Sequence, residues 1–138
     1  MNWERSCGAV VFARREGQIL FVIVQEQEGA YSFPKGHMEA GETETETARR
    51  EVLEEIGWTP VLLDGFRAQD EYELAEKPGT SKRVTYFLAE YDGEPLSPRQ
   101  GEIRRVLLLP YEEALGLFEH EGTRRVLEEA NRFIRDML

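Results

Sequence analysis

Phe33-Pro-Lys-Gly-His-Met-Glu-Ala-Gly-Glu-Thr43, followed four residues later by Ala48-Arg-Arg-Glu-Val-Leu-Glu-Glu-Ile-Gly57, places a Gly-rich turn directly before a helix-forming segment. Thr43 with Glu46 three residues on has the form of a capping box, so the helix is predicted to begin near Glu44. Gly57 is a natural C-terminal stop, and Pro60 enforces the break. At about 100° per residue, Glu51, Glu54 and Glu55 share an arc of roughly 100°, which leaves Val52, Leu53 and Ile56 to pack on a core.

Local rules disfavour this arrangement. Like charges at i, i+3 and i+4 destabilise a helix by about 0.2–0.5 kcal/mol per pair. Glu54 and Glu55 also sit in the last turn, where the helix dipole opposes anions. Only Arg50, four residues before Glu54, offers local relief, and that is the weaker order for an ion pair. Breaking two local rules at one place is a mark of function. The simplest compensation is a hard divalent cation, because carboxylate oxygens suit magnesium or manganese.

The rest of the chain supplies a frame. The 138 residues suit one domain spanning 1–138, with 41% apolar and 32% charged residues, as in an ordinary globular protein. No apolar run approaches the roughly 20 residues that span a bilayer, and the N-terminus lacks the pattern of a signal peptide. The single cysteine, Cys7, is expected to be buried, in keeping with a cytoplasmic protein. A net charge of −10 argues against an extended nucleic-acid surface and leaves room for a small polyanion, and no membrane partner is expected. The assembly is expected to be a monomer or homodimer.

Arg5–Ala13 and Ile19–Val24 read as a hairpin closed by Arg14-Arg-Glu-Gly17. Val61–Glu76 reads as strand-like material that pairs with a strand over Arg83–Tyr91. A short strand over Ile103–Leu109 precedes a helix starting near Pro110. The last helix starts near Thr123, with Val126, Leu127, Ala130, Phe133, Ile134 and Met137 on one face.

The central residues are similar to a known signature. Gly36, five residues, Glu42, seven residues, then Arg50-Glu-Val-Leu-Glu-Glu-Ile-Gly57 resembles the box of the Nudix hydrolases, about 23 residues long. Trp58 departs from the usual aliphatic residue at a position expected to pack. The resemblance implies an α/β fold, a Nudix-type α/β/α sandwich around a mixed β-sheet, and hydrolysis of a nucleoside diphosphate linked to another group. It implies Glu51, Glu54 and Glu55 as magnesium-binding and water-activating carboxylates, with manganese as a possible substitute. It further implies the Gly36 carbonyl as a metal ligand, Arg50 orienting the carboxylates and Glu42 bracing the loop. Which glutamate takes the water's proton stays open, with Glu54 and Glu51 as candidates.

Phe33-Pro-Lys-Gly-His37 with Glu39 and Gly41 is similar to the entry motif of dinucleoside polyphosphate hydrolases, and Tyr31 stands where many of these have tryptophan. Lys35 and His37 are candidate phosphate contacts, Arg83 a third, and Tyr86 a ring for stacking on a base. Glu102, in Gln100-Gly-Glu-Ile103, is a candidate extra metal ligand. Other Nudix substrates remain alternatives: nucleoside triphosphates, nucleotide sugars, capped RNA ends and inositol pyrophosphates. So does a non-catalytic nucleotide-sensing domain.

Overall fold

The computed structural model describes residues 2–138. Its centre is β1 (Asn2–Arg15), which turns through Glu16 and Gly17, both at positive φ, into β2 (Gln18–Glu26). That two-residue turn matches the twist of antiparallel strands, and Arg14 pairs with Ile19 across it. Two short strands follow, β3 (Tyr31–Ser32) on β2 and β4 (Lys35–His37) on β1. Helix α1 (Glu44–Ile56) precedes the hairpin of β5 (Ala68–Glu73) and β6 (Thr80–Glu90). The chain ends with β7 (Ile103–Pro110), α2 (Tyr111–Leu117) and α3 (Glu121–Met137).

The sheet runs β3-β2-β1-β6-β5, with β4 also on β1 and β7 on β2. It is mixed: β1 and β6 are parallel from Asn2–Thr80 to Phe12–Glu90, whereas the other pairs are antiparallel. One face buries Ala9, Val11, Val22 and Val24 against Val52 and Ile56 of α1. The other buries Val10, Phe12, Phe21 and Leu88 against Val126, Leu127, Ala130 and Ile134 of α3. This is the α/β/α sandwich.

Both caps of α1 are as predicted. Thr43 and Glu46 complete the capping box, and Gly57 takes a left-handed conformation at the other end. Trp58 packs among core residues and donates from Nε1 to Asp92 at 3.1 Å. Cys7 is buried, and burial pushes its thiol up to about 11.

Three expectations change. Leu53 does not pack but stands 46% exposed on α1. Val61–Leu63 makes a single bridge, Leu62 to Ala89, and the strand begins only at Ala68. β1 starts three residues early, because Asn2–Glu4 borrow the backbone of Thr80–Lys82.

Candidate active site

Alternation along β4 builds the site. Gly36 pairs with Cys7, on the sheet face that α1 covers, while Lys35 and His37 pair with Gly8 and Ser6 on the opposite face. Any side chain at Gly36 would collide with the Glu51 carboxylate. Only glycine therefore lets the helix approach this closely.

Arg50 organises the carboxylates. Its Nε donates to Glu42 at 2.6 Å and its Nη1 to Glu51 at 2.7 Å and Glu54 at 2.9 Å. Its Nη2 reaches Glu42 and the His37 carbonyl, tying helix to turn. These bonds hold Glu42 down at about 2, chiefly through Arg50 and then through the Glu39 backbone N–H. The like-charge strain read from the spacing is thus relieved by one guanidinium rather than by an i, i+4 pair alone.

Glu51 and Glu55 remain electrostatically uncomfortable. Burial raises Glu51, against the opposing pull of Arg50. Burial raises Glu55 to about 7, although the Lys35 backbone N–H donates to it at 3.1 Å. A buried carboxylate pushed upward favours an added positive charge beside it.

A cleft of about 320 Å³ draws its lining from both faces of the sheet. Glu51, Glu55 and Glu102 line it together with Gly36 and Arg99, and Ser6, Glu26, Ser32, Lys35, His37 and Lys82 complete its walls. The loop carrying Glu102 is docked on the end of α1: Ser97 N donates to the Ile56 carbonyl at 2.8 Å and Arg99 N to the Glu55 carbonyl at 2.9 Å. Arg99 then stands 3.3 Å from Glu102 and 3.7 Å from Glu54.

The sequence-derived candidates divide cleanly. Lys35, Gly36, His37, Glu51, Glu55 and Glu102 meet in the cleft, with Arg50 and Glu54 linked to them. The His37 ring faces Glu4 at 3.4 Å and stays largely exposed. Arg83 does not join them; it pairs with Glu71 and lies 4.7 Å over the Trp3 ring. Tyr86 cannot stack on a base, because it is 1% exposed and packs edge-on to Phe33 in the core.

Strand β6 reaches the cleft, but through neither Arg83 nor Tyr86. Lys82, one position before Arg83, faces the cleft, and burial followed by the Lys35 charge lowers its pKa. Among the described residues neither Lys35 nor Lys82 belongs to an ion pair. Tyr72, the Cα partner of Lys82 on β5, meets the His120 ring at 4.9 Å. Arg99 was also missed, because a loop arginine carries no periodic signal.

Among the described residues no three carboxylates, histidines or cysteines converge closely enough to hold a metal ion. Arg50 draws Glu51 and Glu54 toward itself instead. The chemistry of the donors nonetheless fits a hard divalent ion: all are oxygens, two are raised by burial, and Gly36 leaves the space beside Glu51 free of a side chain.

Comparison with known proteins agrees with this geometry. The family model for the NUDIX domain matches residues 3–130. The chain is 35% identical to the asymmetrical bis(5'-nucleosyl)-tetraphosphatase of Sus scrofa, over 96% of this chain and 97% of that one. It is 36% identical to the 8-oxo-(d)GTP phosphatase of Mycolicibacterium smegmatis, over 76% of this chain but only 30% of that one. Among solved structures, a Caenorhabditis elegans Ap4A hydrolase binary complex superposes with a TM-score of 0.88 at 23% identity, covering 96% of this chain and 98% of that one. A capped helix bearing the box carboxylates, set in this sheet and matched along nearly the whole chain, means that the protein belongs to the Nudix hydrolase family.

Proposed function

We propose that the protein hydrolyses dinucleoside polyphosphates, diadenosine tetraphosphate foremost, with magnesium as its ion and manganese as a substitute. One observation carries this reading: Glu51, Glu55 and Glu102 share the cleft with two lysines, Lys35 and Lys82, that form no salt bridge among the described residues of a chain of net charge −10. Lysines not locked in salt bridges, beside a hard-oxygen cluster, suit a polyphosphate chain. The full-length likeness to asymmetrical tetraphosphatases names the class of chain.

Lys35 and Lys82 bind the phosphates. Glu51, Glu54, Glu55, Glu102 and the Gly36 carbonyl are the residues that would hold the ion, which when bound neutralises phosphate charge and lowers the pKa of the attacking water. Arg50 keeps Glu51 and Glu54 aligned. Water forms the new P–O bond as the bridging P–O bond breaks, and Glu54 accepts the water's proton. Glu54 suits that role because its side chain is 34% exposed against 11% for Glu51, while Glu55 already accepts from the Lys35 backbone. Tyr72, beside Lys82, takes the stacking role that the buried Tyr86 cannot fill. The buried Cys7 suits a reducing, cytoplasmic setting.

The test is product analysis. Diadenosine tetraphosphate with magnesium should give ATP and AMP by anion-exchange chromatography. Cleavage restricted to mononucleoside triphosphates would assign the two lysines to another substrate and remove this reading.

A further inference from the structure

Ser6 has a hydroxyl that the fold does not use. Its side chain is 1% exposed, and its Oγ is buried without a hydrogen-bond partner among the described residues. Buried polar groups are nearly always paired, and an orphan costs stability. The position is well determined, since Ser6 pairs with His37 on β4 and with Val84 on β6. That register sets it on the sheet face of Lys35 and His37, at the wall of the carboxylate cleft that Lys82 also lines.

The surroundings indicate what the hydroxyl is held for. Lys35 and Lys82 share this wall and form no ion pair among the described residues. Ser32, the other hydroxyl of the cleft, is already engaged, donating to the Phe33 carbonyl at 3.1 Å and lying 3.4 Å from Glu26. An unpaired O–H beside two unpaired ammonium groups complements an anionic oxygen acceptor.

We propose that Ser6 is a substrate-binding residue whose hydroxyl donates to a phosphate oxygen of the bound chain, alongside Lys35 and Lys82. This rests on the polyphosphate reading of the cleft and adds to it a neutral donor that is held ready, unsatisfied, in the free protein.

Such a group should trade stability for binding, and Ser6→Ala separates the two. The probe is bis(methylene)triphosphonate, an uncleavable triphosphate chain, titrated calorimetrically into wild-type and variant protein with magnesium. Thermal unfolding of both is recorded without ligand. The proposal expects affinity to fall about tenfold, while the ligand-free melting temperature stays unchanged or rises. Equal affinities would overturn it, as would a wild-type protein that does not bind the probe. A lowered ligand-free melting temperature would overturn it too, because the hydroxyl would then have a partner inside the protein. Cleavage of diadenosine tetraphosphate by wild-type protein judges the parent reading separately, since the phosphonate titration involves neither hydrolysis nor a nucleoside.

Discussion

Helices α1 and α3 lie on opposite faces of the same sheet and follow opposite rules. In α3 Val126, Leu127, Ala130 and Ile134 are buried, Met137, expected on the same face, stands open in the last turn, and Arg125, Glu128, Glu129 and Arg132 face solvent. In α1 a glutamate, Glu51, is buried to 9% exposure while Leu53, two residues on, stands open. Helix α3 is placed mainly by that buried apolar face. Helix α1 accepts a desolvated carboxylate, which folding by itself disfavours, and so marks where the chemistry lies.

The contrast can be broken most forcefully at Glu54. Glu54→Gln should cut the rate of diadenosine tetraphosphate hydrolysis by about 10²- to 10⁴-fold, the range for loss of a positioned base, with the circular dichroism spectrum intact. Unchanged turnover would remove Glu54 from the mechanism and leave α1 as a second packing helix.

A matched pair of truncations sharpens the same comparison in stability. Ile134→Ala on α3 should cost about 2–5 kcal/mol in urea unfolding with kcat per folded molecule retained. Leu53→Ala on α1 should shift stability by less than about 0.5 kcal/mol. Similar costs for the two would mean that Leu53 is covered in solution.

A third prediction concerns pH. Burial lifts Glu55 from an ordinary 4.5 to about 7, so the folded chain keeps this proton longer than the unfolded chain does. Its contribution is therefore favourable below about 4.5 and is lost as pH rises toward 7. Without metal, Glu55→Gln should gain stability relative to wild type across that interval, as read from melting temperatures at pH 5 and pH 8. A constant difference between the two proteins would remove the upward shift.

Much of this was legible because it is local. The Thr43–Glu46 box and Gly57 bracket α1 without reference to the rest of the fold, and the box spacing identifies its carboxylates. Alternation along β6 puts Lys82 and Arg83 on opposite faces. It could not say which of the two faces the cleft, because that depends on the parallel pairing of β6 with β1, a contact between segments about 80 residues apart in register. Tyr86 failed for a related reason. A tyrosine looks the same in a strand whether it meets a ligand or, as here, Phe33 in the core. The orphan hydroxyl of Ser6 had no signal at all, since it is defined by the lack of a hydrogen-bond partner among the described residues.

The docking of residues 97–99 on the last carbonyls of α1 has a consequence for motion. The Ile56 and Glu55 carbonyls belong to the helix end that has no partner within the helix, and the Ser97 and Arg99 amides satisfy them. Loop and helix end are thus one opening unit: the amides at 97 and 99 should exchange with deuterium at the pace of α1, not at the pace of the neighbouring loop at Gly93. Glu102 then stays in register with Glu55 for as long as the helix holds its last turn, and fraying of that turn loosens both carboxylates together.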